Sequence, residues 1–346
     1  MAASSYKLFC LGNPLLDMQV TNGEELLKKY DLKANDAILA EEKHTPIYEE
    51  VVKNYKVTYV AGGASQNAAR GAAYVLPPKS VVYTGCVGDD NLAEQLKAAN
   101  AREGLDEVYQ VKKGEKTGAC AVVITGHHRS LVTTLRVAEK FDQSHLESPE
   151  VAPLIAAAQF FYVEGYFLTH GTSITEWLSK KSSDANKTFI LNLSAPFIAQ
   201  FFTENLKKVL PYTDIVIANE SEAAAWAEAT NYPGSKSDLA GIAKALAGYE
   251  KANKARERIV IFTHGSEATT VVSGPNAEAQ VFPVKALSDA EIVDTNGAGD
   301  AFAGGFLGAL VAGKSLKESI FAGHELGRMC VGQVGPQYKW PKVQVL

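Results

Sequence analysis

Short runs of apolar residues alternate along this chain with longer segments whose apolar residues recur at helical spacing. The short runs are typical of buried strands, and the longer segments are typical of helices that pack on them. The runs are residues 7–11, 80–84, 160–163, 188–193, 215–218 and 259–263, and the helical segments include 91–103, 174–182 and 239–249. The alternation predicts βαβ units and a largely parallel sheet, whose ligands bind beyond the carboxyl ends of the strands.

Two stretches, residues 56–60 and 118–134, depart from this rhythm. They alternate or carry β-branched residues, no helix intervenes, and "ITGHHRSLVTT" predicts a hairpin with its turn near residues 126–129. The chain has no internal repeat and no long linker. These stretches therefore predict a small separate sheet inserted into the main domain.

Composition narrows the class of protein. The 346 residues are 46% hydrophobic and 21% charged, with a net charge of −5, which are values of a globular protein without a basic face for nucleic acid. The longest apolar run, residues 301–313, is too short to span a membrane, and the first residues lack the pattern of a signal peptide. The four cysteines are far apart and predict reduced packing thiols. We expect a cytoplasmic protein, with a nuclear pool as an alternative, and neither nucleic acid nor membrane as a partner.

Two neighbouring motifs compete as a phosphate site. Residues 308–315, "GALVAGKS", match the nucleotide-loop pattern letter for letter, but the residues before them are helix-like, with Phe302, Phe306 and Leu310 on one face. A P-loop needs a strand before its glycine turn. We therefore interpret residues 308–315 as a helix end at Gly313 and a new helix start, with Lys314 on a solvated loop.

The stretch "EIVDTNGAGDAF" has the setting that the other motif lacks. It predicts a strand at 291–293, a glycine turn at 295–299 and a helix from about Ala298, whose free N–H groups and dipole favour an anion. Asp300, in the first helical turn, lies where a base could take a proton from a hydroxyl that attacks the bound phosphate.

At this point the chain resembles a known family. "DTNGAGDAFAGGF" and "AGGASQNAARGAA" resemble the two signatures of the ribokinase-like carbohydrate and nucleoside kinases. "LGNPLLD", "ILAEEKH", "NLSAPF", "NESEA" and "IVIFTHG" resemble landmarks of the members that phosphorylate adenosine, in their order. The resemblance covers nearly the whole chain and implies transfer of the γ-phosphate of ATP to the 5′-hydroxyl of adenosine.

The resemblance also implies the architecture. It implies a ribokinase-like three-layer α/β/α sandwich with a mainly parallel central sheet and a small inserted β lid. The large nucleotide-binding and catalytic domain would comprise residues 1–16, 66–115 and 141–346, and the lid residues 17–65 and 116–140. Because the lid is elaborated rather than shared, the resemblance implies a monomer.

The family's catalytic roles map onto the glycine turn and the lid. The backbone of Asn296, Gly297, Ala298 and Gly299 would form an anion hole for the transferring phosphoryl group, with Asp300 as general base. Arg129 corresponds to a lid arginine that approaches the phosphates on closure, and a guanidinium suits that task.

The nucleoside site is also implied by the resemblance. Asp17 would accept the ribose hydroxyls, with Gly62, Gly63 and Asn67 close to the sugar, and an acceptor-only carboxylate can hold two vicinal hydroxyls. Asn13 would be a polar contact of the purine. The apolar residues implied to face the purine are Leu15, Leu39, Cys120, Leu131, Leu135, Phe167 and Phe197.

The nucleotide side follows in the same way. Asn219 and Glu222 would organise Mg²⁺ through water, although their spacing alone would equally indicate a helix cap. The residues implied to hold ATP are Asn219, Thr263, Gly265, Gly297, Gly299, His324 and Gly327.

Two residues depart from the family's pattern near the purine. Ala37 stands where mammalian relatives have glutamine, and Thr133 stands where they have alanine. The sequence therefore leaves open which residues contact the purine base.

Two alternatives to the phosphorylation of adenosine also stay open. They are a kinase of the same fold for another nucleoside or a sugar, and a catalytically silent nucleoside-binding protein.

Overall fold

The structure is a computed structural model that describes residues 6–34, 36–126 and 128–346. Strands and helices alternate along most of it. The strands are β1 (Leu8–Leu11), β2 (Leu15–Thr21), β3 (Ala37–Leu39), β4 (Thr58–Gly62), β5 (Val81–Thr84), β6 (Cys86–Gly88), β7 (Asp106–Glu107), β8 (Gln110–Lys112), β9 (Gly118–Thr125), β10 (His128–Thr134), β11 (Phe160–Glu164), β12 (Thr188–Asn192), β13 (Ile215–Asn219), β14 (Ile259–His264), β15 (Glu267–Ser273) and β16 (Gln280–Phe282). The helices are α1 (Glu24–Lys29), α2 (Ile47–Asn54), α3 (Ala64–Val75), α4 (Asn91–Glu103), α5 (Gln143–Leu146), α6 (Ala152–Ala157), α7 (Thr172–Asp184), α8 (Pro196–Phe201), α9 (Thr203–Val209), α10 (Glu220–Ala229), α11 (Leu239–Ala247), α12 (Ala298–Val311) and α13 (Leu316–Val331).

A nine-stranded sheet forms the centre of the molecule, in the order β16-β15-β14-β13-β12-β11-β1-β5-β7. The strands from β14 to β7 in that order are parallel, and β15 and β16 are antiparallel to their neighbours. All six predicted apolar runs are strands of this sheet. The predicted mainly parallel sheet is confirmed.

Helices cover both faces of this sheet. Phe9 and its neighbours on one face pack in a cluster with Leu178 of α7 and Leu246 of α11. Cys10 on the other face packs in a cluster that contains Ala69 of α3 and Phe306 of α12. Burial of each such leucine or phenylalanine contributes about 1.5–3 kcal/mol. The arrangement is the predicted three-layer α/β/α sandwich.

A second sheet of five strands, in the order β3-β10-β9-β2-β4, forms the lid. β9 and β10 form the predicted hairpin, from Ala119 opposite Thr134 to Thr125 opposite His128. One face of the lid sheet packs on α1 and α2, with Met18 and Val20 in the same cluster as Leu26. Strand β2 of the lid begins at Leu15, within residues 1–16 that were expected to belong to the large domain. Residues 1–5, Asn35 and His127, which also fall in the expected domain ranges, lie outside the described residues.

Helices α3 and α12 lie close together on one face of the central sheet. A Cβ on Gly304 of α12 would come within 2.7 Å of the Gly71 Cα on α3 and the Ala68 carbonyl oxygen, so glycine permits this approach. Each helix begins with a functional signature of the chain. Their contact therefore brings the two signatures, far apart in sequence, to one place.

Two sequence-based expectations concern compartment and redox state. Cys10, Cys86, Cys120 and Cys330 are all buried and free, as their spacing predicts. Within the described ranges, no helix is both long and apolar enough to cross a lipid bilayer.

Candidate active site

A cavity of about 710 Å³ lies between the lid sheet and the carboxyl ends of the central strands. This is the location that the parallel sheet predicts. Most of the predicted site residues line it: Asn13, Leu15, Asp17, Leu39, Gly63, Asn67, Cys120, Leu131, Leu135, Phe197, Asn219, Glu222, Thr263, Asn296, Gly297, Gly299 and Asp300.

The predicted anion turn immediately precedes α12. Gly297 is the N-cap with a φ of +78°, which glycine adopts without strain. The N–H of Asn296 donates to Asp294 Oδ1 (3.0 Å) and the N–H of Ala298 to the Thr295 carbonyl (3.3 Å). Ala298 is not among the residues that line the cavity, whereas Gly297 and Gly299 are. The two glycines are thus better placed than Ala298 to meet an anion.

The prediction of a strand at residues 291–293, before this turn, is wrong. Residues 289–291 form a 3₁₀ turn, in which the Ser288 backbone and hydroxyl both donate to Glu291 Oε2, and no strand follows at 292–293. Ile292 and Val293 are exposed, and the Val293 N–H donates to the Val331 carbonyl of α13. The β-branched residues favoured a strand, but helix α13 and not a strand lies beside them.

Asp300 is half-buried at the start of α12, beside the glycine turn. Its Oδ2 accepts a hydrogen bond of 2.9 Å from Asn67 Nδ2 of α3. Burial raises the pKa of Asp300 to about 7, against the opposing effects of the Asn67 hydrogen bond and the Arg70 charge. A carboxyl group with this pKa can both accept and release a proton near neutral pH.

Asp17 lies on β2 and faces the cavity from the lid side. Burial raises its pKa to about 7, and the nearby Arg70 and Arg129 oppose that shift while Asp300 adds to it. A Cβ at Gly62 would overlap the Asp17 carboxylate, so glycine is required behind it rather than in the cavity wall. Gly63, with a φ of +86°, lines the cavity itself.

The apolar residues predicted to face the purine line the cavity, with the exception of Phe167. Phe167 does not line it: its ring is fully buried in the core, 5.8 Å from the Phe141 ring. Residues 165–169 form a 3₁₀ helix, and Tyr166 lines the cavity, 5.9 Å from the Phe197 ring. Neighbouring rings of this helix point in different directions, and the sequence analysis named Phe167, whereas Tyr166 is the ring that lines the cavity.

The two residues that depart from the family's pattern also line this cavity. Ala37 is exposed on β3, and Thr133 Oγ1 donates to the Cys120 Sγ across the hairpin (3.3 Å). The Thr133 hydroxyl is thus already hydrogen-bonded to Cys120, which lines the same cavity.

Asn219 and Glu222 form a capping box at the start of α10. Asn219 Oδ1 accepts the Glu222 N–H (2.8 Å), and Glu222 Oε2 accepts the Asn219 N–H (2.9 Å). Burial raises the pKa of Glu222 to about 7. Both residues line the cavity as well, so the cap and a polar role there coexist. In the described ranges, no group of three or more His, Cys, Asp and Glu could hold a metal.

Of the residues implied to hold ATP, Asn219, Thr263, Gly297 and Gly299 line this cavity, and Gly265, His324 and Gly327 do not. Gly265 is exposed with a φ of +53°, and Gly327 packs near the Ala298 carbonyl. His324 Nε2 is 2.8 Å from Thr269 Oγ1, and burial lowers the His324 pKa. The structure thus does not bring these three residues into the cavity that holds Asp300.

Arg129 extends from the lid hairpin to the base of the anion turn. Its Nε donates to Asp294 Oδ1 at 2.5 Å, and Asp294 Oδ2 accepts the Gly335 N–H at 2.6 Å. The Asp294 carboxylate therefore joins the lid, the turn and the C-terminal segment, residues 332–346. Asp294 is the first residue of the motif "DTNGAGDAFAGGF", but the sequence analysis assigned no role to it.

Glu164 is a cavity residue that the sequence analysis missed. It lies at the carboxyl end of β11 and is 1% exposed. Burial raises its pKa well above the usual range, and the negative charge of Asp300 adds to that shift. A charged residue directly after a buried apolar run was the available signal.

The rival motif at 308–315 is a helix junction. Helix α12 ends at Val311, Gly313 has a φ of +80°, and Ser315 caps α13, whose first turn contains Glu318. Lys314 is exposed on the connecting loop. The interpretation as a helix end is confirmed.

Lys314→Ala is therefore expected to change the KM for ATP by less than about twofold, because the 14 residues of α12 separate Lys314 from the glycine turn, whereas a P-loop lysine contacts the phosphates directly. Steady-state kinetics with varied ATP check this, with the exposed Lys317→Ala as a matched control. A rise of about tenfold or more in KM, specific to Lys314→Ala, would restore the P-loop interpretation.

Comparisons with known proteins agree on one family. The model of the pfkB family of carbohydrate kinases matches residues 24–343. The chain is 67% identical over 344 residues to adenosine kinase from Schizophyllum commune, covering 99% of this chain and 100% of that one. It is 44% identical over 340 residues to adenosine kinase from Saccharomyces cerevisiae, covering 97% and 98%.

Solved structures give the same result. Adenosine kinase from Anopheles gambiae, in complex with P1,P4-di(adenosine-5) tetraphosphate, superimposes with a TM-score of 0.89 at 41% identity, covering 94% of this chain and 95% of that one. Adenosine kinase from Schistosoma mansoni, in complex with adenosine in an occluded loop conformation, has a TM-score of 0.90 at 33% identity, covering 97% of both chains.

Proposed function

Because the chain belongs to the pfkB family of carbohydrate kinases, we propose that it transfers the γ-phosphate of ATP to the 5′-hydroxyl of adenosine, giving AMP and ADP. The observation that carries the proposal is the cavity in which the Asp300 carboxylate and the glycine turn face the Asp17 carboxylate. We further propose a role in purine salvage in the cytoplasm.

Asp300 is the proposed general base. It takes the proton of the 5′-hydroxyl as that oxygen attacks the γ-phosphorus, and the bond from phosphorus to the β,γ-bridging oxygen breaks to release ADP. Its pKa of about 7 suits a base that works near neutral pH. The N–H groups of Gly297 and Gly299, with the dipole of α12, would stabilise the charge that develops on the transferring group.

The nucleoside is proposed to lie with its ribose toward Asp17, Gly63 and Asn67. The carboxylate accepts the two ribose hydroxyls, and the backbone at Gly63 is free of a side chain that would block the sugar. The purine would lie on the apolar wall that includes Leu15 and Phe197, with Asn13 as a polar contact. Asn13 Nδ2 is buried and has no hydrogen-bond partner within the described ranges, which supports that contact.

ATP is proposed to bind with its phosphates at the glycine turn and its nucleoside near Thr263, Gly265, His324 and Gly327. His324 Nδ1 supports this placement, since it is buried without a hydrogen-bond partner in the part of the chain that the structure describes. Arg129 is proposed to exchange Asp294 for the phosphates when ATP is bound, because a guanidinium pairs with either anion.

Mg²⁺ is proposed as the cofactor. Asn219 and Glu222 offer one amide and one carboxylate beside Asp300, a donor set that fits an ion that keeps several of its waters. When bound, the ion would neutralise phosphate charge. We also propose a monomer, because α1 and α2 of the same chain cover the lid face that lies away from the cavity.

An ADP-release assay tests the proposal over adenosine, other nucleosides and free sugars, with Mg²⁺ and with the ion chelated. Adenosine should give the highest kcat/KM, and chelation should abolish turnover. A higher kcat/KM for another nucleoside or a sugar would assign the enzyme to that acceptor. Nucleoside binding without ADP release would indicate a silent binding protein.

A further inference from the structure

Arg70 is a buried arginine directly behind the proposed base. It lies on α3, its side chain is 1% exposed, and all five of its N–H donors have acceptors. Nε and one N–H of Nη2 donate to the two carboxylate oxygens of Glu103 on α4, at 2.5 and 3.1 Å. The other three donors bind Asn67 Oδ1 (2.9 Å), the Ala61 carbonyl (2.8 Å) and the Pro336 carbonyl (2.7 Å).

The Asn67 amide stands between Arg70 and Asp300. A guanidinium can only donate hydrogen bonds, and an ionised carboxylate can only accept them. The amide therefore has one orientation that satisfies both neighbours, with Oδ1 toward Arg70 and Nδ2 toward Asp300 Oδ2 (2.9 Å). The flipped amide would place its NH₂ group against the guanidinium and its oxygen against the carboxylate.

This orientation has a consequence for the base. With Oδ2 of Asp300 held by Asn67, the other oxygen, Oδ1, is left to accept the proton of the substrate. We propose that Arg70 is a positioning residue for phosphoryl transfer, which orients the Asp300 carboxylate through the Asn67 amide. The proposal rests on the proposed function, in which Asp300 is the general base.

The same guanidinium supports the anion turn. The Pro336 carbonyl accepts from Arg70, and a Cβ at Gly297 would come within 2.7 Å of the Pro336 Cβ. Pro336 of the C-terminal segment is thus held by Arg70 through its carbonyl, and its ring packs on the turn at Gly297. One buried side chain thereby acts on both the base and the turn.

The charges around Asp300 give the sign of the expected pH effect. Burial raises its pKa to about 7, and Asn67 and Arg70 oppose that rise. Several acidic groups in the described ranges also interact electrostatically with Asp300: Asp17 of β2, Tyr162 and Glu164 of β11, Tyr166 after it, Glu222 of α10, Cys330 of α13 and Tyr338 of the C-terminal segment. The positively charged Arg129 of β10 lies near the same groups, since it acts on Asp17. Loss of the Arg70 charge should therefore raise the pKa of Asp300 further.

Arg70→Met keeps an unbranched apolar stem and removes the charge. We expect kcat to fall about tenfold or more at pH 7, and the acid limb of the kcat profile to move up by about one pH unit, with the KM for ATP nearly unchanged. Arg70→Lys keeps the charge without the forked geometry and should restore part of the pH shift. Glu103→Gln removes the negative partner and should move the limb in the opposite direction, to lower pH.

Arg258 provides the matched control. It is as fully buried as Arg70, but its donors bind backbone carbonyls, including those of Thr213, Leu210 and Leu246, away from the cavity. Arg258→Met should lower the Tm without moving the pH profile. A purely structural role for Arg70 predicts the same result for Arg70→Met, so an unshifted limb in a folded Arg70→Met protein would overturn the proposal.

A second readout does not depend on turnover. The pKa of Asp300 in the free protein can be followed by ¹³C-carboxyl NMR, with the signal assigned from its loss in Asp300→Asn. It should rise in Arg70→Met and fall in Glu103→Gln, which also covers the case in which Arg70→Met does not fold. Failure of the wild-type protein to phosphorylate adenosine would reject the proposed function alone, whereas unchanged pKa values in both variants would reject the role of Arg70 alone.

Discussion

Turnover of the Asp300→Asn variant is expected to be about 10²–10⁴-fold below that of the wild type, with adenosine affinity within a few-fold. The asparagine side chain keeps the shape and can still accept the Asn67 hydrogen bond, but it cannot take the proton of the 5′-hydroxyl. Because the pKa of Asp300 is about 7, wild-type kcat should also fall as the pH decreases through that value and the base becomes protonated.

The measurements are kcat from the ADP-release assay and adenosine affinity from calorimetry. Asp184→Asn, at an exposed position at the end of α7, is a matched control that should leave both values unchanged. Turnover close to that of the wild type in Asp300→Asn would remove Asp300 from the mechanism, whereas loss of adenosine binding would assign it to the nucleoside site instead.

The second large effect concerns the ribose. If Asp17 accepts hydrogen bonds from both ribose hydroxyls, 2′-deoxyadenosine leaves part of a desolvated carboxylate unpaired, at a cost of about 1.5–3 kcal/mol. Adenosine should therefore have the higher kcat/KM in the wild type. In Asp17→Ala both nucleosides should be poor substrates, and the ratio between them should shrink, because the residue that distinguishes them is gone.

Comparing both nucleosides on both proteins separates this coupling from general damage to the site. Asp36→Ala is the matched control, since Asp36 also lines the cavity from the lid but is exposed, and its removal should leave the ratio unchanged. Retention of the full preference for adenosine in Asp17→Ala would leave Asp17 as a structural residue of β2, with Asn67 and the glycine backbone to recognise the ribose.

Regular elements were predictable because their periodicity is local. The buried runs of the central sheet and the helix at 91–103 agree with the structure within one or two residues at each end. The turn at 295–299 was also predictable, since glycine at a positive φ and a following helix need no distant partner. The lack of a strand at 291–293 was not predictable, because it depends on a contact of Val293 with the end of α13, far along the chain.

The candidate site was predictable where a signature or a strand end marks it, and unpredictable where a tertiary contact decides. Asp17, Asn67 and Asp300 belong to motifs, and the packing of α3 on α12 brings the last two together. The choice between Tyr166 and Phe167 depends on how one 3₁₀ helix packs, which no periodicity encodes. The contact of Arg70 with Pro336 joins residues 266 positions apart, and nothing near either residue predicts it.

The ion pair between Arg129 and Asp294 also has a kinetic consequence. A hydrogen bond to a charged group contributes about 1.5–3 kcal/mol, so this bond favours a closed lid over an open one by a factor of about 10 to 150. A nucleoside that enters only through the open minority would associate more slowly by the same factor. Salt stabilises the two charges once opening of the lid separates them in solvent, so the association rate of an uncharged nucleoside should rise with ionic strength, opposite to the usual behaviour of a charged ligand.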